Sequence, residues 1–334
     1  MRPVPRIACR RGRRRRDGTS RMTRGQVLGA RLLAPLASIA VGAIVVALAA
    51  SADPPLPSRA GPAVTYRDMT GREVRLVAPP MRIVSLVPSV TELIYALGGG
   101  DRLVGRTDFC DYPPEARAKP SVGGMVAPSL EGIVALKADV VIGTPDGSLE
   151  ETFRQLRRLG LPIYLVRVNR LSEVMDLVAR VGELAGRRES VAPLVARLNG
   201  EIARVRTLVR PYPAPRVLYV LWPDPLIVPA RHALVTELIA IAGGRSVTDV
   251  EGDAYPRYSL EAAVAAAPEV IILASHGSHS GPAARDKWER LASLPAIRTG
   301  RLYSVNGDLL HRYGPRMIDG LYQLARAIHP EAFR

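Results

Sequence analysis

The 334-residue chain is long enough for two compact domains. Aromatic residues make up only 5% of it, and the abundance of Ala, Val and Leu suits helices packed on sheets. The net charge of +15 resembles that of a nucleic-acid binder, but residues 1–52 hold eleven arginines and one aspartate, and the remainder carries only +5. The basic excess belongs to the leader, which argues against nucleic acid as a partner.

Arginines run from Arg2 to Arg31 and are followed by 21 uncharged residues, Leu32–Ala52, closing on Ala50-Ser51-Ala52. A positive segment, an apolar core and a small-residue end describe a secretory signal peptide, 1–52, with Met22 as a possible start. The apolar run is also long enough to stay uncleaved as a membrane anchor. Either outcome places the folded part outside the cytoplasm, in the periplasm or on the outer face of the membrane. The arginine cluster lacks twin-arginine flanks, and no cysteine follows the apolar run to carry a lipoprotein anchor. Cys9 lies in the leader, so Cys110 would remain alone, without a disulfide or a cysteine zinc cluster. Its default reading is a small, partly buried side chain, with a reactive thiol as the alternative.

Residues 53–63 form a Pro-rich linker. Alternation around Thr70-Gly71 then predicts a hairpin over Val64–Leu76. The strand RIVSLVP precedes a helix with Val90, Leu93, Ile94 and Leu97 on its apolar face. Ser89 and Glu92 read as its capping box, and Gly98-Gly99-Gly100 as its end. Further along, Ala138–Gly143 reads as strand, Leu149–Leu159 as helix, Pro162–Val168 as strand and Leu171–Leu184 as helix. Such alternation implies parallel sheet with helices outside. From Val191 to Val209 one apolar stripe persists for about 20 residues, a rod of roughly 30 Å, before PYPAP stops it. A second α/β set follows: RVLYVLW, a helix over Leu234–Ala242, a strand over Glu269–Ala274, a helix near Asp286–Ser293, the strand RLYSV and a helix over Pro315–Ile328. The chain therefore reads as a lobe (64–186), a long helix (187–210) and a second lobe (211–334).

One unit occurs in each lobe. PSLEGIVALKADVVIG (Pro128–Gly143) is echoed by YSLEAAVAAAPEVIIL (Tyr258–Leu273), with Ser129 and Ser259 as helix N-caps. Glu131 and Glu261 fall in the first turns, where a carboxylate gains roughly 0.3–1 kcal/mol from the helix dipole. In open parallel sheets, ligands lie outside the carboxyl ends of the strands. That places a cleft among loops 106–112, 123–127 and 144–148 of the first lobe and 222–225, 253–258, 275–280 and 306–313 of the second. The set ASHGSHSG puts His276 and His279 after a strand, with His311 on another cleft loop. Three histidines there are candidate metal or haem-iron ligands, or hydrogen-bonding groups of a polar loop.

RIVSLVPSVTELIYALGGGDRLVGRTDFCDYPPEA, then VGG, PSLEGIVALKADVVI and the lone long helix, resemble the substrate-binding proteins of cobalamin, haem and ferric-siderophore ABC importers, the helical-backbone metal receptors. The resemblance covers Val64–Arg334 in order. It implies two Rossmann-like lobes with mainly parallel sheets, joined by one rigid α-helix, that clamp a metal chelate between them. It implies no catalysis and no resident cofactor, and delivery by a monomer to a permease dimer driven by a cytoplasmic ATPase, with Glu131 and Glu261 in the docking positions. Phe109 matches the aromatic that contacts the corrin, although an ordinary core aromatic is the alternative. Tyr255 stands where cobalamin receptors carry a tryptophan. Asp308 and Arg312 fall where such receptors place a polar pair near the corrin amides, or form a salt bridge that holds a loop. Trp222 lies on another cleft loop. Met125, the segment around Pro145, Leu309 and Leu310 replace aromatics, so the ligand stays open among corrinoids, cobalamin first, and haem or ferric siderophores. Tyr112, within DYPP, reads as structural. No G-x-S-x-G elbow, P-loop, G-x-G-x-x-G or helical H-E-x-x-H is present. A tetrapyrrole chelatase and a sensor without a permease are the alternatives from other classes. The export signal and the paired SLE units argue against the chelatase.

Overall fold

The computed structural model describes residues 63–145, 149–276 and 282–334. The leader, nearly all of the linker and His279 lie outside the described residues. No helix among the described residues is long and apolar enough to cross a membrane.

The expected hairpin forms from β1 (Val64–Arg67) and β2 (Glu73–Leu76), paired antiparallel. The Asp68 carboxylate accepts from the Thr70 and Arg72 backbone amides, and Gly71 takes the left-handed conformation that the turn requires. The first half then runs β3 (Ile83–Ser85), α1 (Pro88–Ala96), β4 (Leu103–Arg106), α2 (Leu130–Ala135), β5 (Val140–Gly143), α3 (Glu150–Arg158), β6 (Ile163–Leu165) and α4 (Leu171–Leu184). Its four strands are parallel, in the order β4-β3-β5-β6.

After α5 (Val191–Val209), the second half runs β7 (Arg216–Val220), the small hairpin β8 (Trp222–Pro223) and β9 (Leu226–Ile227), α6 (Leu234–Ile241), β10 (Arg245–Ser246), α7 (Leu260–Ala265), β11 (Val270–Ser275), α8 (Pro282–Glu289), α9 (Pro295–Arg298), β12 (Leu302–Asn306), α10 (Gly307–His311) and α11 (Met317–Ile328). Its main sheet is also parallel, in the order β10-β7-β11-β12. Numbered within each half, both sheets have the order 2-1-3-4. In both, strand 2 lies on one side of strand 1 and strands 3 and 4 on the other, and the switch point between strands 1 and 3 is where such sheets open a crevice.

At about 1.5 Å per residue the 19-residue α5 is roughly 28 Å long. It buries Leu194, Leu198, Ile202, Val205 and Val209, a stripe that continues the apolar faces of α4, α6 and α11. One cluster of buried side chains extends from Tyr66 to Ile328 through this stripe. The halves therefore share a core along α5, which gives a physical reason for a stiff connection.

Several elements differ from expectation. Ser89 is not an N-cap: Val87 caps α1, Pro88 supplies the first position, and no side chain caps this end. Glu92, freed from a capping box, is buried and points to the other half. The strand expected over Pro162–Val168 narrows to Ile163–Leu165, and the loop expected over Asn306–Tyr313 contains α10, capped by the Asn306 side chain. Cys110 is buried, 3.2 Å from the Thr107 hydroxyl, in line with its default reading.

The duplicated units match to the level of single hydrogen bonds. Ser129 Oγ accepts from Gly132 N at 3.0 Å, and Ser259 Oγ from Ala262 N at 3.0 Å. Each helix is followed by a non-glycine residue in the left-handed region, Lys137 (φ 47°) and Ala267 (φ 44°). Arg82 Nε donates to Lys137 O at 3.1 Å, and Arg216 Nε to Ala267 O at 3.1 Å. Asp139 accepts from Arg82 N at 2.9 Å, and Glu269 from Arg216 N at 2.8 Å. In each half, then, an arginine at the start of strand 1 reads the end of the SLE helix, and an acid just before strand 3 holds that arginine's backbone.

Candidate functional site

The crevice ends of the two sheets are tied by charged side chains. Arg316, at the N-cap of α11, donates from Nε to Glu92 Oε2 at 2.9 Å and from Nη2 to Oε1, a bidentate pair. Its guanidinium lies 3.8 Å from the centre of the Tyr112 ring. Arg312, just after α10, reaches Asp111 at 2.9 Å, Asp308 at 3.3 Å and Glu92 at 3.8 Å. Asp308 and Arg312 thus form the salt bridge that was the alternative to a ligand-facing polar pair, and Arg312 also crosses to the first half through Asp111.

An aromatic group lies beside this network. His311, the last residue of α10, has Nε2 3.0 Å from the Tyr219 hydroxyl, and its ring is 5.7 Å from Tyr255 and 5.5 Å from His276. Burial, helped by neighbouring His276, pushes the His311 imidazolium down to about 3, so the ring is neutral. Nε2 of His311 thus faces Tyr219 within the second half. His276 Nδ1 lies 3.3 Å from Asp308 Oδ1. That contact, with Arg312 beside it, holds the Asp308 carboxyl below its usual range. Gly307 permits the approach, because a Cβ there would sit 2.3 Å from the His276 ring. Among the described residues no three His, Cys, Asp or Glu side chains form a metal-binding group.

Phe109 is 52% exposed, so it is no core aromatic. Its loop is tied to the Met125 segment by Asp108 N donating to Gly123 O at 2.9 Å, and Met125 is half-buried. Tyr255 is 39% exposed. Its loop is fixed by Ala230 N to Ala254 O at 2.9 Å and Val228 N to Pro256 O at 3.3 Å. Trp222 is half-buried on the neighbouring hairpin and donates to Asp224 O at 3.0 Å. Leu309 and Leu310 are buried, so these departures from the family pattern face the core. Glu131 and Glu261 are exposed on the first turns of α2 and α7.

The sequence reading missed Glu92 and Arg316 as a joining pair. Nothing in PSVTEL distinguishes a cap from a carboxylate whose partner lies 224 residues away. The Asp111–Arg312 pair brings the Phe109 loop to the end of α10, where Tyr255 also packs. Each half therefore has an exposed aromatic close in the chain or in packing to the ion-paired seam, Phe109 two residues before Asp111 and Tyr255 against His311.

Two like-ordered α/β sheets joined by one long helix, with a seam between their crevice ends, define a two-lobed binding protein. The Periplasmic binding protein family profile matches residues 83–309, and the chain belongs to that family. The vitamin B12-binding protein of Vibrio cholerae is 29% identical over 246 residues, covering 74% of this chain and 88% of that protein. The crystal structure of the periplasmic vitamin B12-binding protein BtuF of Vibrio cholerae superposes with a TM-score of 0.66 at 28% identity, covering 77% of this chain and 99% of that one. The periplasmic haem-binding protein RhuT from Roseiflexus sp. RS-1 is 32% identical, with a TM-score of 0.66 over 75% of this chain and 98% of that one. The chain is accordingly a substrate-binding component of transport and not an enzyme.

Proposed function

We propose that this chain is the exported substrate-binding protein of an ABC importer, which captures a metal chelate between residues 64–186 and 211–334 and delivers it to a permease. A corrinoid heads the candidate ligands. The observation that carries this reading is the pair of exposed aromatic faces, Phe109 and Tyr255, one in each half and close to a seam rich in hydrogen-bonding charge. A flat macrocycle gains from apolar faces, while its polar rim gains from a few anchored groups such as Asp308 and Arg312. The vitamin B12-binding relatives support the same class. Haem is the second reading, favoured by the 32% identity to a haem-binding protein.

Glu131 and Glu261, exposed at matched places, are the proposed permease contacts. Two carboxylates held by identical caps and turns suit a two-fold partner that offers cations. The test of ligand class is a competition series on residues 53–334 with cobalamin, cobinamide, haem and ferric siderophores, read by visible absorption. Corrinoid binding displaced by neither haem nor siderophore supports the first reading, preferential haem binding selects the second, and binding of neither corrinoid nor haem rejects both.

A further inference from the structure

Glu92 lies in the middle of α1 and is 3% exposed. A buried carboxylate without a cation loses its hydration with nothing in return, so α1 and the start of α11 are held at the spacing that Arg316 permits. Arg312 adds its bond to Asp111, and the Arg316 guanidinium covers Tyr112. Two arginines four residues apart, on the link between α10 and α11, therefore grip two acids and one ring of the first half. Behind them is a cavity of about 490 Å³, lined by Glu92, Tyr95, Tyr112, Arg197, Arg316 and Asp319 among others. With open space there, ion pairs rather than packed side chains fix the separation of the halves at this level. Phe109 precedes Asp111 by two residues, and Tyr255 packs on His311, which precedes Arg312. The same grip thus sets the distance between the two exposed aromatic faces.

We infer that Glu92, Arg312 and Arg316 form a clasp that sets the width of the cleft, with Glu92 and Arg316 as positioning residues for ligand capture. The effect on affinity rests on the metal-chelate reading above; the effect on width does not. A preset width spares the ligand the work of ordering the halves, so loosening the clasp weakens binding and widens the spread of separations.

The test uses paramagnetic labels on residues 53–334 carrying Val126→Cys and Asp253→Cys, both exposed positions, with native Cys110 buried. Electron–electron distance measurements are made for this protein and for its Glu92→Gln and Arg316→Lys versions. Glutamine keeps the shape of the buried side chain, and lysine keeps the charge but not the fork. A single narrow distance is expected with the clasp intact, and a broader, longer distribution in both variants. Cobinamide and haem titrations of the same variants without labels are expected to weaken about tenfold. Unchanged distance distributions in both variants overturn the clasp. Changed distances with unchanged affinity overturn its role in capture. Changed distances in a protein that binds neither chelate even with the clasp intact support the clasp and reject both the corrinoid and the haem reading.

Discussion

The matched arginines make a stability prediction that separates two nearly equivalent sites. Arg82 donates to Leu136 O from Nε and Nη2 at 3.1 and 2.8 Å and to Lys137 O at 3.1 Å, so one guanidinium serves two carbonyls at the end of α2. Arg216 serves one, Ala267 O, and its ion pair with Glu269 is long, at 4.0 Å. Methionine keeps most of the apolar stem and removes the donors. A net hydrogen bond contributes about 1 kcal/mol and one from a charged donor somewhat more. Arg82→Met should therefore cost about 2–3 kcal/mol and Arg216→Met about 1 kcal/mol. Urea unfolding of residues 53–334, with the slope unchanged between variants, reads both values. An Arg216→Met loss equal to or larger than that of Arg82→Met would refute the hydrogen-bond count as the source of the difference.

Other perturbations follow from the same geometry. Replacing Ala267 or Lys137 by glycine relieves a left-handed residue whose strain is about 1–2 kcal/mol and adds about 0.5–1 kcal/mol of unfolded-chain entropy, so a net gain of about 0.5–1 kcal/mol is expected in the same urea assay; a loss at both sites contradicts it. His311 has a folded value of about 3 against 6.5 when exposed, so its neutral form stabilises the fold above pH 6.5 and this contribution is lost as pH falls toward 3. Between pH 7 and 5.5 this amounts to about 1 kcal/mol, and His311→Gln should show that much less acid sensitivity than the parent; equal pH slopes would contradict the assignment. Charge reversal at Glu131 and Glu261 together should abolish binding to the cognate permease in detergent while leaving chelate affinity within twofold. Undiminished permease binding removes these residues from the interface.

The long elements were legible because their signals are long. Leu171–Leu184 was expected with the bounds at which α4 forms, and the stripe from Val191 to Val209 became α5. The duplicated serine caps were legible because capping is local. The further matches were visible but unread: RIVS and RVLY each begin with the arginine that reads a helix end, and ADVV and PEVI each carry the acid that holds it. Glu92 was misassigned because a capping box and a buried long-range pair share the same local spelling. Only the packing of α1 against the start of α11 decides between them. Five-residue α10 was too short for periodicity to reveal, and so the enclosure of His311 by Tyr219 and Tyr255 was hidden as well. Exposure at Phe109 follows from its loop, with aspartates at 108 and 111, and there the sequence left both outcomes open.

The central claim is that a corrinoid is gripped between the Phe109 and Tyr255 faces. The most direct measurement is a visible-absorption titration with cobinamide of residues 53–334, run beside Phe109→Ala, whose half-exposed ring contributes little to the core. Saturable one-to-one binding, weakened about tenfold in the variant with stability within about 0.5 kcal/mol of the parent, is the predicted result. Cobinamide binding with the same affinity in both proteins, or no binding in either, would contradict it.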